Sequence, residues 1–127
     1  MAKILIIDDE AAIRENVCEF LVAGGHSVIE ANNGAVGIQQ IARNCVDIAL
    51  VDMVMPCKDG VETIKEIRQM CPDVKIIAMS GRPYKDLYLS IARKMGADAV
   101  LAKPFQPAEL GDAIAAALAC DTALILC

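Results

Sequence analysis

Five short apolar runs recur along the chain, each followed by a stretch with helical spacing, and this alternation restricts the fold more than any other feature. The first run is Ile4 to Ile7, followed by Ala11 to Ala23, where Ile13, Val17, Phe20 and Leu21 share a helical face closed by Gly24-Gly25. Val28-Ile29 is a weak second run and Val36 to Ala42 a short helix. Val46 to Met53 is the third, ended by the turn residues Pro56 to Gly60; Val61, Ile64 and Ile67 then mark a helix stopped at Cys71-Pro72. Val74 to Met79 ends at Ser80-Gly81, and Leu87, Ile91 and Met95 lead to a glycine cap at Gly96. Ala99 to Ala102 is the fifth run, and Pro107 opens a last helix with Leu110, Ile114, Ala117 and Leu118 on one face. A βα repeat of this kind predicts an α/β fold, a parallel sheet covered by helices on both faces. Ligands of such sheets lie outside the carboxyl ends of the strands, near the point where strand order reverses.

Four of the five strand ends deliver a polar side chain: Asp8-Asp9, Asp52, Ser80 and Lys103. If the strands carrying them are neighbours, three carboxylates, a hydroxyl and an ammonium converge on one rim. Carboxylates at close range repel, and a divalent cation is one remedy. Hard oxygen ligands suit Mg²⁺, which often bridges to phosphate. An aspartate beside a bound metal can attack phosphorus, with the ammonium and hydroxyl serving the phosphoryl oxygens. Taken singly, each residue also fits a turn or helix-start role, and for Glu10 the helix-start reading is preferred. The joint pattern is stronger, because turn chemistry gives no reason for all four sites to share a rim.

Composition narrows the class. The 127 residues carry a formal charge of -5 with scattered basic residues and few aromatics, so neither a nucleic-acid footprint nor a stacking platform is visible. The apolar N-terminal run is too short for a signal-peptide core or a membrane span. Cys18, Cys45, Cys57, Cys71, Cys120 and Cys127 include no C-x-x-C pair, which fits reduced thiols in a cytoplasmic protein.

The motifs Ile6-Ile-Asp-Asp-Glu10, Val51-Asp-Met-Val-Met-Pro56 with Asp59-Gly60, Ala78-Met-Ser-Gly81, Gly96-Ala97 and Lys103-Pro-Phe105 stand in the order and spacing of another group of proteins. Through them the chain resembles the receiver domain of two-component response regulators over essentially its whole length. The resemblance implies a flavodoxin-like doubly wound five-stranded sheet in the order 2-1-3-4-5. It makes Asp52 the phosphoacceptor, served by a sensor histidine kinase or a histidine phosphotransfer protein, with Ser80 and Lys103 contacting the phosphoryl oxygens. It implies Mg²⁺ held by Asp8, Asp9, Asp52 and the Val54 carbonyl, with Asp8 acting largely through water, and a Lys103-Pro104 bond that is often cis. The expected output is altered binding to a downstream protein, with no direct nucleic-acid or membrane contact. The chain is then not an enzyme, beyond its own phosphorylation from phosphodonors and its own dephosphorylation.

One position departs from the family. Three residues before the lysine it usually carries Tyr or Phe, whose inward swing reports phosphorylation; here the residue is Val100. Movement of the Ser80 to Tyr84 loop is the expected substitute. Val54 and Arg82 occupy the positions that tune the lifetime of the phosphorylated state.

Three other readings compete. A Mg²⁺-dependent phosphatase with an aspartate nucleophile would want Asp-x-Asp after the first strand. A flavin or nucleotide binder would want a Ser/Thr/Gly-rich phosphate loop there, where Asp8-Asp9-Glu10 would repel phosphate. A non-phosphorylated receiver-like scaffold would be expected to lack an acid or the lysine. Residues 1–119 are expected to form the domain and 120–127 an apolar tail, either the end of the last helix or a truncated linker. That tail would pack on the domain, form a homodimer, or lead on toward a longer regulator.

Overall fold

The computed structural model describes residues 2–53, 60–81 and 85–126, without the side chains of Lys85, Leu89 and residues 119–126. Five strands alternate with five helices: β1 Lys3–Ile7, α1 Ala11–Ala23, β2 Ser27–Ala31, α2 Gly34–Arg43, β3 Ile48–Asp52, α3 Gly60–Met70, β4 Lys75–Ser80, α4 Lys85–Lys94, β5 Ala99–Ala102 and α5 Pro107–Leu126. The sheet is parallel throughout, in the order β2-β1-β3-β4-β5. Strand order therefore reverses between β1 and β3, where Ile4 pairs with Ile48 and Ile7 with Val51.

β1 and β3 are buried almost throughout because helices cover both faces of a central parallel strand, which requires an unbroken apolar run. Within the strands, a two-residue alternation sorts the side chains. Ile4, Ile6, Ile48, Leu50, Ile77, Met79 and Leu101 pack with Val17 and Leu21 of α1 and Leu110, Ile114 and Ala117 of α5. Leu5, Ile7, Ala49, Val51, Ile76 and Ala78 pack with Ile41 of α2, Ile64 and Ile67 of α3, and Ala92 of α4. The sheet is thus wound on both faces, with two helices on one side and three on the other.

The glycine stops expected at the ends of α1 and α4 are both present. Gly25 and Gly96 have φ of 91° and 106°, a region that suits glycine. In each case two amides turn back onto the last helical turn: Gly25 N and His26 N donate to Val22 O and Leu21 O, and Gly96 N and Ala97 N to Arg93 O and Ala92 O. α2 starts earlier than its apolar pattern suggested, because the Asn33 side chain accepts from Val36 N at 2.9 Å and caps it. α5 begins at Pro107 as expected, and its backbone stays helical to Leu126, so residues 120–126 continue the last helix. No described helix is long and apolar enough to cross a membrane.

At the amino end of the sheet, two aspartates extend the ladder by a side chain. Asp47 Oδ2 accepts from Lys3 N and Asp98 Oδ2 from Ile76 N, each at 2.8 Å. Asp98 also pairs with Arg68, whose guanidinium reaches Pro72 O, Val74 O and Gly96 O and so ties α3 to the loops before β4 and β5. Asp98→Ala is expected to lower stability by about 1–3 kcal/mol, since it strips an acceptor from a strand amide and an anchor from Arg68. Urea unfolding checks this; an unchanged midpoint would show that water replaces the carboxylate at no cost.

Candidate functional site

Continuing the strand alternation past the last ladder residues brings Asp8, Asp52 and Lys103 to the α1/α5 side of the carboxyl rim and Ser80 to the other side. The structure joins Asp8, Asp52 and Lys103, and Ser80 is tied to them through its backbone carbonyl, which accepts from Lys103 N. Asp8 and Ser80 are fully buried and Asp52 nearly so. Lys103 Nζ donates to Asp8 Oδ2 at 2.7 Å and lies 3.4 Å from Asp52 Oδ2 and 4.0 Å from Glu10 Oε1, so one ammonium links both strand-end carboxylates. Burial alone would lower its pKa, but the hydrogen bond it donates to Asp8 and the charges of Asp52, Asp8 and Glu10 outweigh that and raise it. Lys103 is therefore a fixed positive charge at neutral pH.

Three backbone contacts set the frame. Lys103 N donates to Ser80 O at 2.8 Å, joining the ends of β4 and β5, and Met53 N donates to Met79 O at 2.9 Å. Gly60, first residue of α3, lies against the phosphoacceptor candidate: a Cβ there would stand 2.7 Å from Asp52 O and 2.5 Å from Met53 Cα, a closeness only glycine allows. The Lys103-Pro104 bond is cis, as the resemblance suggested.

A carboxylate oxygen from each of Asp8, Asp9 and Glu10 falls within 4.8 Å of the other two, a spacing that could hold a metal ion. Glu10, read from the sequence as a helix-start residue, also has its carboxylate in this cluster. It is the N-cap residue of α1, but its side chain makes no capping bond; Asp8 Oδ1 accepts from Glu10 N at 2.9 Å instead. Fit to a cation and a phosphoryl group is supported by a second feature: the buried Ser80 Oγ has no hydrogen-bond partner among the described residues. Beside Lys103 a cleft of about 510 Å³ opens between Ile13, Asn16 and Val17 of α1 and the Pro104-Phe105 turn.

Sequence reasoning missed Arg14, whose Nη1 donates to Asp8 O at 2.7 Å and whose Nε lies 3.4 Å from Glu30 Oε1. Its only signal was a basic residue one turn into α1. Val54, Arg82 and Tyr84 lie outside the described residues. Val100 packs, partly buried, on the α2–α4 side opposite Ala78 in register. Cys18, Cys45 and Cys71 are free thiols, and burial, with Glu30 and Glu19 nearby, pushes the Cys18 thiol up and makes it less reactive.

Residues 4–115 match the response regulator receiver domain family. The chain belongs to that family. The receiver is 34% identical over 113 residues to the chemotaxis protein CheY of Bacillus subtilis, covering 88% of this chain and 93% of that one. Among solved structures, a receiver domain protein from Clostridium thermocellum superposes with a TM-score of 0.90 at 32% identity, over 98% of this chain and 99% of that one. The response regulator TrrA of Thermotoga maritima, solved in complex with Mg²⁺ and BeF, gives 0.81 at 31% identity, over 91% and 97%. Receiver domains are regulatory modules of two-component and phosphorelay signalling that interact with histidine kinases or phosphotransferases.

Proposed function

We propose that this receiver accepts a phosphoryl group on Asp52 from the phosphohistidine of a sensor histidine kinase or a histidine phosphotransfer protein, with Mg²⁺ bound, and that the modified rim changes binding to a downstream protein in the cytoplasm. The observation that carries the reading is Lys103 Nζ set between Asp8 and Asp52, with the unpartnered Ser80 Oγ on the same rim.

Asp8 and Asp9 would hold the cation, with Asp52 and the Val54 carbonyl completing the protein ligands; Glu10 is near enough to act through water. Bound Mg²⁺ offsets negative charge on the phosphoryl oxygens and the attacking carboxylate. An Asp52 Oδ attacks phosphorus in line as the donor's P–N bond breaks, its electron pair staying on the imidazole. Lys103 pairs with one phosphoryl oxygen, and the Ser80 hydroxyl donates to another, which satisfies its buried Oγ. The cleft beside Lys103 gives the donor's side chain an approach along α1. The modification acts as a local charge change that biases a two-state element.

Incubation with acetyl phosphate, with and without Mg²⁺, followed by intact mass, tests the proposal. A Mg²⁺-dependent phosphoryl adduct is expected. No adduct with this donor or with histidine kinases would favour the unphosphorylated scaffold.

A further inference from the structure

We infer that Arg14 is a positioning residue for the acidic site: by holding the Asp8 carbonyl, it fixes the Asp8–Asp9 peptide in the turn that lets both carboxylates face one divalent cation. The inference rests on the Mg²⁺ reading above. Adjacent residues in extended backbone point to opposite faces, so neighbouring acids reach one ion only if the chain turns between them. That turn is present, since Asp9 lies in a bend and the carboxylate oxygens of Asp8 and Asp9 fall within 4.8 Å. Asp8 keeps one strand contact, its N–H donating to Ala31 O at 3.1 Å, but its carbonyl is taken by Arg14 Nη1 at 2.7 Å. The Asp8 carbonyl and the Asp9 N–H share one rigid peptide plane, so fixing the first orients the second. Arg14 is itself held by Glu30 of β2, whose Oε1 lies 3.4 Å from its Nε, and its planar fork suits two acceptors at once.

Charge and positioning predict opposite signs. Arg14 is a cation near a cation site, so on Coulomb grounds its removal tightens Mg²⁺ binding. If it positions the acids, its removal weakens binding, and loss of such an outer contact typically costs 10–100-fold in metal affinity.

Titration calorimetry of the full chain with MgCl₂ decides between them. Arg14→Met, which keeps the apolar stem, is expected to bind Mg²⁺ about tenfold more weakly, and the Asp9 amide resonance of the metal-free variant is expected to shift. Affinity equal to or tighter than wild type overturns the inference, even if the variant is less stable. Should Arg14→Met fail to fold, Arg14→Lys replaces it: charge is kept and the fork lost, weaker binding supports positioning, and unchanged or tighter binding overturns it. Failure of the underlying reading looks different, because the wild type would then show no Mg²⁺ binding at all.

Discussion

Asp52→Asn is expected to abolish the phosphoryl adduct. The amide keeps the size and planarity of the side chain, but its oxygen is a poor nucleophile and its nitrogen has no free pair to offer phosphorus. Labelling with acetyl phosphate and Mg²⁺, followed by intact mass, should fall by on the order of 10³-fold or more, the scale on which removal of a nucleophile acts. The loss should be chemical rather than structural. Asp52 is buried beside Lys103 at 3.4 Å, and Asn leaves the pairing of Lys103 with Asp8 in place. The thermal midpoint is therefore expected to stay within about 5 °C of wild type, equivalent to about a kilocalorie for a domain of this size. An adduct that persists on the folded variant would move the modification to another residue and remove Asp52 from the central role.

How much of this was legible beforehand follows from which residues the fold positions by rule. In a parallel βα sheet, the residue at or just after the end of a buried strand must emerge at the carboxyl rim, so the sequence alone groups Asp8, Asp52, Ser80 and Lys103. The apolar runs of β1 and β3 were equally plain, because burial on both faces leaves one permitted pattern. β2 was faint because it lies at a sheet edge and is only partly buried, so Val28-Ile29 marked the centre of a strand that extends from Ser27 to Ala31. In α2, glycine obscured the helical signal: Gly37 stands where a Cβ would collide with Ile7 Cδ1, so close packing on β1 overrides its poor helix propensity. The contact of Arg14 with Asp8 and the place of Glu10 beside the acid pair were hidden for a different reason. Both depend on how the first turn of α1 sits over the ends of β1 and β2, and side-chain periodicity carries no information about that angle.

Lys103→Met should produce the second large effect, and on two separable quantities. The substitution keeps the apolar stem but deletes the ammonium that pairs with Asp8 at 2.7 Å and faces Asp52 at 3.4 Å. Asp8 is fully buried, and breaking a buried pair from one side leaves an uncompensated carboxylate, which costs about 3–5 kcal/mol. Glu10 is exposed and 4.0 Å away, so its share of that loss is small. Urea unfolding in EDTA should show the deficit. Adding Mg²⁺ should narrow it, because without the ammonium the acid cluster binds the cation more tightly and so gains more stability by mass action than wild type does. Phosphorylation at saturating Mg²⁺ should nonetheless remain slower by about 10²–10³-fold, the cost of removing one preorganised charge from the phosphoryl oxygens. The two readings fail independently. Unchanged stability in EDTA would mean that the buried carboxylate of Asp8 finds compensation without Lys103, and a normal labelling rate would mean that the ammonium serves the fold and not the transfer.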